Sequence, residues 1–482
     1  MTIRYFGKQV QHFITEYAQA ISSGTAAIFA GAGLSCNSGF VNWKELLRNI
    51  AEEVNLDVDK ETDLISLAQY YKNEMGGNRS KLNNEILSHF TKSVGNNKCM
   101  DILATLPIDT YWTTNYDHTI EDSLRQHGKV VDVKISQANL ADNLPKHNAV
   151  VYKFHGDISS PADAILTKDD YELFDITHKL FITSLQGCLV SKTFVFIGYG
   201  LTDPNLLQIL SKIRILLGEN CRMHYFLTKK ISKKDFKTLQ EYDYACVKRE
   251  LILKDLQRYG IRGVEIQSYE DIPHIFECIR KLYFLNKIFI AGSCRNYGNW
   301  NYKDAYDFMY NLGYQLIKRG FHISTGLIEG VGPQVVNGAL TAIEEYQLNI
   351  DSTLTIKTLP LIQGSDKHIK PTAKKKFQNN MISEAGVILF LFGNQYYDNV
   401  LEISRGVMHD YERAKEHNKY IIPIGSTGYA SEYILNDIEK NIDKFPYLIP
   451  FLSNLKIETE PSRLVILIFE IIEYIRNNIE SF

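Results

Sequence analysis

The sequence predicts an α/β protein in which one architecture is used twice, and three observations lead there. Ala26-Ala27-Ile28-Phe29-Ala30 runs into Gly31-Ala32-Gly33-Leu34-Ser35, and Lys287-Ile288-Phe289-Ile290-Ala291 runs into Gly292-Ser293. Each is a short apolar strand, a glycine turn and then a helix-like stretch, the order in which nucleotide-binding α/β domains open. Later apolar runs, Val150–Phe154 and Phe194–Ile197, also end in His-Gly or Gly, so polar groups at those ends collect along one sheet edge.

Taken in order, residues 45–105 and 172–192 read as helical and are expected to form an inserted subdomain over the first sheet. Residues 229–284 are rich in Lys and Glu with helical periodicity, interrupted by the apolar patch Gly263-Val264-Glu265-Ile266. With no Pro/Gly/Ser linker visible, the boundary is placed near residue 284, giving domains 1–284 and 285–482. Beyond it, Ala305, Met309, Leu312 and Leu316 recur at helical spacing until Gly320 stops the helix, and Val387–Phe392 supplies a further strand. There is no internal repeat beyond the two glycine turns and no low-complexity tract.

The chain has 482 residues, 45% hydrophobic and 23% charged, enough for two or three domain cores. Its formal net charge of -3, without long runs of one sign, advertises no nucleic-acid surface, and no nucleic-acid partner is expected. The opening MTIRYFGKQVQHF lacks the n- and h-regions of a signal peptide, and no apolar run approaches the ~18 residues that span a bilayer. A soluble cytoplasmic protein without membrane partners is expected. Seven cysteines with no C-x-x-C pair indicate neither a disulfide framework nor a thiolate zinc site, so no metal is expected.

At Gly31 and Gly33 a missing Cβ lets backbone N–H groups approach a pyrophosphate. Cys36 stands where a dinucleotide fingerprint wants a third glycine, and no GxxxxGK[ST] loop occurs. A tight turn without ligand explains the glycines equally well. Thr113-Thr114-Asn115-Tyr116-Asp117, Phe154-His155-Gly156-Asp157 and Phe196-Ile197-Gly198-Tyr199-Gly200-Leu201-Thr202-Asp203-Pro204-Asn205 add a carboxamide, carboxylates and an imidazole at strand ends. Singly, each has a plain reading as a helix cap or a chance neighbour of glycine. Four such strings in order are harder to explain as coincidence.

Those strings resemble the sirtuin family of NAD-consuming proteins, specifically its zinc-free bacterial branch used in phage defence. The likeness covers roughly residues 10–280 and implies a Rossmann-type domain with helical insertions. It implies NAD+ as substrate, its diphosphate held by Ala30, Gly31, Ala32, Gly33 and Ser35. Asn115 and Asp117 would frame the nicotinamide ribose and carboxamide, and Gly198, Tyr199, Gly200, Asp203 and Asn205 would approach the nucleotide from the other side. Asn115 and His155 would be the catalytic pair, His155 as base. Deacylating sirtuins carry two C-x-x-C pairs, which this chain lacks. With the peptide module in doubt, water becomes the natural acceptor and cleavage to nicotinamide and ADP-ribose the expected reaction.

In the second unit, Gly292-Ser293, Ser324-Thr325-Gly326 and Glu329-Gly330-Val331-Gly332 follow apolar strands. This half resembles the SLOG superfamily, a Rossmann-like group that binds nucleotide-derived ligands. The PGGxGTxxE signature of its phosphoribohydrolase members is missing; the late strand Tyr420–Ile424 leads to Gly425-Ser426-Thr427-Gly428 instead. Binding without catalysis is the implied role. Gly292, Ser293, Gly330, Val331 and Gly332 are the candidate contacts, with Glu412 for ribose hydroxyls and Arg405 and Lys376 for phosphates; a Lys run such as 374–376 also suits a solvated face.

A sirtuin-like domain followed by a SLOG domain resembles the NAD-cleaving effectors of Thoeris antiphage systems. The resemblance implies a homotetramer switched on by a cyclic ADP-ribose isomer that a TIR-domain partner makes, depleting NAD+ in abortive infection. One departure is Phe377-Gln378-Asn379-Asn380-Met381-Ile382, which lacks the arginine that family members can place before Met-Ile. Two other readings stay open: a catalytically idle nucleotide sensor or scaffold, and a zinc-free NAD-dependent deacylase. Nicotinamide release from NAD+ without an acyl-peptide separates all three.

Overall fold

A computed structural model describes residues 6–36, 38–91, 95–201, 203–356 and 382–480. The chain divides between Arg280 and Lys281 into two compact units.

The first unit is built on seven parallel strands: β1 (Ala26–Ala30), β2 (Thr110–Thr113), β3 (Val131–Lys134), β4 (Ala149–Lys153), β5 (Thr193–Ile197), β6 (His224–Lys229) and β7 (Ile261–Ile266). They lie in the order β3-β4-β2-β1-β5-β6-β7. From β1 the chain moves to β2 on one side and later to β5 on the other, which opens a crevice beyond the carboxyl end of β1. Ala30 is in register with Thr113 of β2 and Ile197 of β5, and Thr113 with Lys153 of β4. The loops at 31–35, 114–117, 154–157 and 198–203 therefore leave the sheet along one edge. All five β1 residues are buried, as a strand covered on both faces requires, and Phe29, Trp112, Phe154, Phe194 and Phe196 form the aromatic core beneath that edge. The apolar patch at 263–266 lies in the edge strand β7.

Between β1 and β2 lies a run of helices, among them Trp43–Leu46, Arg48–Glu53, Leu64–Glu74, Ser80–Phe90 and Lys98–Thr105. Asn42, Asp63 and Asn97 each cap a helix start by accepting a backbone N–H. The insertion has its own core, which takes in Tyr116 from the loop after β2 and Ala164 and Leu166 from the segment after β4. Arg79 fastens the same contact: Nη1 lies 2.7 Å from Asp170 Oδ2, and the guanidinium also donates to Ala164 O. The insertion is thus packed against the edge from which the loops emerge.

The second unit carries a parallel sheet of β8 (Lys287–Ser293), β9 (His322–Thr325), β10 (Leu354–Ile356), β11 (Val387–Phe392) and β14 (Tyr420–Pro423), in the order β10-β9-β8-β11-β14. An antiparallel hairpin, β12 (Asn394–Tyr397) with β13 (Val400–Ile403), follows β11. Ser293 pairs with Phe392, so the crevice here lies beyond β8 and β11. The α/β architecture with two parallel sheets agrees with the sequence reading. Among the described residues, no helix is long and apolar enough to cross a membrane.

Helix Tyr302–Lys318 packs on helix Gly332–Glu345 through Gly313 and Gly338, where a Cβ would run into Val335 O and Tyr310 O respectively. In an exposed helix Gly→Ala stabilises by about 1 kcal/mol. Here the clash decides the sign: Gly338→Ala is expected to destabilise the C-terminal unit by about 1–3 kcal/mol. Urea unfolding of that unit measures it, and unchanged or increased stability would show that the helices are not held this close.

Candidate active site

Four loops meet at the end of β1, and glycines let two of them touch. Gly31 N–H donates to Ile197 O and Gly33 N–H to Gly198 O, both at 2.9 Å. A Cβ on Gly31 would lie 2.5 Å from Gly198 O, and one on Gly33 2.9 Å from Gly198 Cα. Gly198 itself has φ +63° and would press a Cβ into Leu34 N, so only glycine fits. These glycines are therefore explained by one loop lying on another, and the N–H groups of Gly31 and Gly33 are already engaged. Of the 31–35 loop, Ala32 and Ser35 line the adjoining cavity, which has a volume of about 370 Å³. Ala30 is fully buried and its carbonyl accepts from Thr114 N.

Asn115 closes the next contact. Its Nδ2 donates to Gly31 O at 3.0 Å and to Ser35 Oγ at 2.9 Å, and its backbone N–H donates to Thr113 Oγ1 at 3.0 Å. A carbonyl can only accept, so the amide must turn its NH₂ that way and present Oδ1 as an acceptor. His155 is 4% exposed, and its Nε2 stands 3.0 Å from Asp203 Oδ2, without the alignment of a full hydrogen bond. Asp203 also takes Leu206 N–H on Oδ1, capping helix Pro204–Leu217, and the Tyr171 hydroxyl on Oδ2. Burial pushes the Asp203 carboxyl up, but the close His155 ring and the hydrogen bonds from Leu206 and Tyr171 outweigh it and hold the group below the ordinary carboxylate range.

Several polar atoms here are buried without a hydrogen-bond partner among the described residues: Asp117 Oδ2, Tyr199 OH, His155 Nε2 and Asn205 Nδ2. Asp117, Tyr199 and His155 line the cavity; Asn205 does not. Leu201, in the same stretch as Gly198 and Gly200, has φ +50°, a conformation that costs a non-glycine residue energy and concentrates at functional sites. Cys36, where a third glycine was looked for, is half-buried; burial first and Asp117 second push its thiol up, so it stays protonated.

The cavity brings together Ala32, Ser35, Asn115, Asp117, His155, Gly198, Tyr199, Gly200 and Asp203 from the sequence-predicted set. It adds residues that sequence reasoning missed. Trp43, Asp63, Leu64 and Phe90 come from the helical insertion, and Tyr171 from helix Lys168–Glu172. Trp43 and Tyr171 meet edge to face with ring centroids 6.5 Å apart. The helical reading of 45–105 was the signal that something covers the sheet edge.

Behind the Asn115–Asp117 turn lies a fully buried ammonium. Lys153 Nζ stands 3.2 Å from Glu121 Oε1 and 3.3 Å from Asp157 Oδ2, and it donates to Asp117 O. His118 Nε2 reaches Asp157 from outside at 3.1 Å. His118, Glu121 and Asp157 have metal-ligand spacing, but the Lys153 ammonium already stands against both acids. Burial pushes the Asp157 carboxyl up, and the His118 bond, Lys153 and the Ser159 N–H more than reverse it.

In the second unit the predicted contacts are mostly closed against protein. A Cβ on Gly292 would lie 2.5 Å from Leu391 O; Gly330 (φ +88°) and Gly332 would clash with Cys294 O and Gly326 O. Ser293 is buried with its hydroxyl on Asn394 O, and Val331 is fully buried. Arg405 lies over the Tyr397 ring with Nη2 3.4 Å from Glu402, and Glu412 is exposed and paired with Lys415 at 2.9 Å. Lys376 lies outside the described residues. A cavity of about 530 Å³ opens instead beside Trp300, Ile403, Ser426, Thr427, Gly428, Tyr429 and Glu432, and among the described residues none of the predicted contacts lines it. Phe392 and Tyr429, at φ +54° and +55°, flank the Gly425–Gly428 turn in sequence or through the bond from Phe392 N to Thr427 Oγ1. The signal in the sequence was that Gly-Ser-Thr-Gly string after β14.

Comparison with known proteins agrees with both halves. The SIR2-like domain family matches residues 109–247, and the Sir2- and TIR-associating SLOG family matches residues 271–475. The protein from Bacillus cereus (strain MSX-D12) named NAD(+) hydrolase ThsA is 39% identical over 90% of this chain and 91% of its own length. Proteins of that name from Cytobacillus dafuensis and Enterococcus faecium are 40% and 39% identical, each over 90% of this chain and over 89% and 91% of their own lengths.

Removing the ammonium while keeping its acids leaves the buried Glu121 carboxylate without its cation and Asp157 with only His118 and the Ser159 N–H. Lys153→Met is expected to destabilise the N-terminal unit by about 3–5 kcal/mol, seen as a lowered urea midpoint. A shift corresponding to less than about 1 kcal/mol, the scale of an exposed pair, would mean that Lys153 is not the counter-ion of this turn.

Proposed function

The chain belongs to the ThsA family of NAD(+) hydrolases, and from that premise we propose that the cavity beyond β1 and β5 is where NAD+ is cleaved to nicotinamide and ADP-ribose. One observation carries this reading: an oriented carboxamide, a buried imidazole and several unpartnered polar atoms converge on one cavity at the point where the strand order reverses.

The reaction breaks the bond between the ribose C1′ and the pyridinium nitrogen. The bonding pair leaves with neutral nicotinamide, C1′ gains oxocarbenium character, water adds there, and one proton is released. Because the leaving group departs neutral, the site has to position and stabilise more than to protonate it. Asn115 Oδ1 would accept from a ribose hydroxyl or from the attacking water, adding orientation without charge. His155 would take the proton; an imidazole suits a base near neutral pH. Ala32 and Ser35 are the loop residues placed to meet the diphosphate, while Gly31, Gly33 and Ala30 shape the loop from behind. Asp117, Tyr199 and Gly200 complete the nucleotide-facing set, Asn205 standing outside the cavity lining, and no metal enters the mechanism.

The C-terminal unit is proposed as the sensor, taking a cyclic ADP-ribose isomer made by a TIR-domain protein. Its support is a cavity with a tyrosine and a tryptophan for stacking and the Ser426–Gly428 turn for polar contacts. Arg405 and Glu412 would reach the ligand only from outside that cavity's lining, and Lys376 lies outside the described residues. Activation requires the signal to bind one arrangement of a homo-oligomer, a tetramer in this reading, more tightly than another, since equal affinity shifts nothing. The outcome is NAD+ depletion in the cytoplasm as antiphage defence.

Nicotinamide release from NAD+ by the purified chain, with and without cyclic ADP-ribose isomers, tests both halves. His155→Ala and Asn115→Ala are each expected to lower turnover about 100-fold or more while remaining folded. Folded variants with near-full turnover would remove these roles. Turnover only with an acyl-peptide would favour the deacylase, and nucleotide binding without turnover the idle sensor.

A further inference from the structure

We propose that Asp203 is a positioning residue for His155: it fixes the ring and keeps a proton on Nε2, leaving Nδ1 as the atom that accepts the proton during cleavage. This deepens the hydrolase reading and rests on it for the catalytic consequence, though not for the pairing itself.

Asp203 suits the task because nothing about its own placement is free. Oδ1 is held by Leu206 N–H at the start of a 14-residue helix, and Oδ2 receives the Tyr171 hydroxyl at 3.2 Å while standing 3.0 Å from His155 Nε2. Both side chains are about 5–6% exposed, so water does not screen the pair strongly. A carboxylate on one ring nitrogen decides the tautomer and makes the other the base. The proton taken from water, or from a ribose hydroxyl that water then replenishes, would go to Nδ1. The resulting imidazolium would sit against the Asp203 carboxylate until it returns the proton to solvent.

The titratable groups around the ring are few. Asp203 and Tyr171 face it, the tyrosine ring edge-on at 5.6 Å. His178, at the start of helix Lys179–Ser191, feels its charge; burial first, and His155 second, lower His178 to about 4, so it is neutral wherever the enzyme would work. Tyr116 and Tyr199 feel Asp203, and burial first raises both phenols, which stay neutral too. Asp203 is thus the charged group in contact with the imidazole, and the pairing has a clear electrostatic sign. Reading Asp203 as a direct NAD+ contact differs from this in what its replacement changes.

Asp203→Asn separates the two. Asparagine caps a helix as well as aspartate, so the Leu206 bond and the fold are kept while the charge is lost. In full-length protein labelled with ¹³C-histidine, the His155 ring signal, assigned by its loss in His155→Ala, is followed against pH. Its titration midpoint is expected to fall by about one unit or more when the carboxylate goes. In the NAD+ assay the acid limb of the kcat/KM profile should move the same way, with kcat down about tenfold or more and KM little changed. An unmoved ring midpoint overturns the proposal, as does a variant whose KM rises while kcat holds, which would make Asp203 a substrate ligand. If the midpoint moves but wild-type protein never releases nicotinamide, the pairing stands and the hydrolase reading falls. Asp203→Ser, which also caps, repeats the measurement for a variant that fails to fold with asparagine.

Discussion

The contact between the turn after β1 and the turn after β5 is the constraint on which the rest of the N-terminal site depends. Three glycines let two backbones lie against each other, Gly31 and Gly33 donating to Ile197 O and Gly198 O. Neither loop is then free to drift. Gly31 O, held in place, becomes the fixed acceptor that orients Asn115, and the helix after Gly198-Tyr199-Gly200 begins where Asp203 can cap it and face His155. A methyl group at any of the three would force the loops apart and misplace the carboxamide and the carboxylate together. In the proposed reading catalytic geometry follows from this packing, in line with the sensitivity of positioned reactions to displacements of an ångström.

Charge is handled in two layers. On the cavity side stand acids and neutral polar groups, several without partners among the described residues, which in the proposed reading would meet a substrate that carries its own pyridinium charge. Behind them Lys153 sits in the interior with Glu121 and Asp157, and holds the Asp117 carbonyl that follows Asn115. Such a buried pair contributes little net stability but is costly to break from one side, so it fixes the turn more than it strengthens the fold.

Much of this was legible in the sequence because the strings at the ends of β1, β2, β4 and β5 each follow an apolar run, and a parallel sheet gathers such ends along one edge. Asn115, His155 and the Gly198–Asp203 string are brought to one cavity on that basis. The cover was not legible in detail. Trp43, Phe90 and Tyr171 sit on helices where an aromatic serves a core as readily as a cavity, and only the chain path decides. Lys153 reads as one more residue of an alternating strand, and its burial depends on acids 32 residues upstream or four downstream. In the C-terminal unit the glycines at 292, 330 and 332 were legible as turns, but their cause is backbone meeting backbone, and the open cavity lies by Ser426 and Tyr429.

The central claim is that one cavity, framed by the glycine contact, holds the bond that breaks. A crystal structure of the full-length His155→Ala protein with NAD+ tests it most directly. The account predicts the nicotinamide ribose against Asn115 Oδ1, with its C1′ facing the space the imidazole leaves and the diphosphate along Ala32 and Ser35. NAD+ bound elsewhere with this cavity empty, or bound here with its nicotinamide ribose turned away from Asn115, would contradict it.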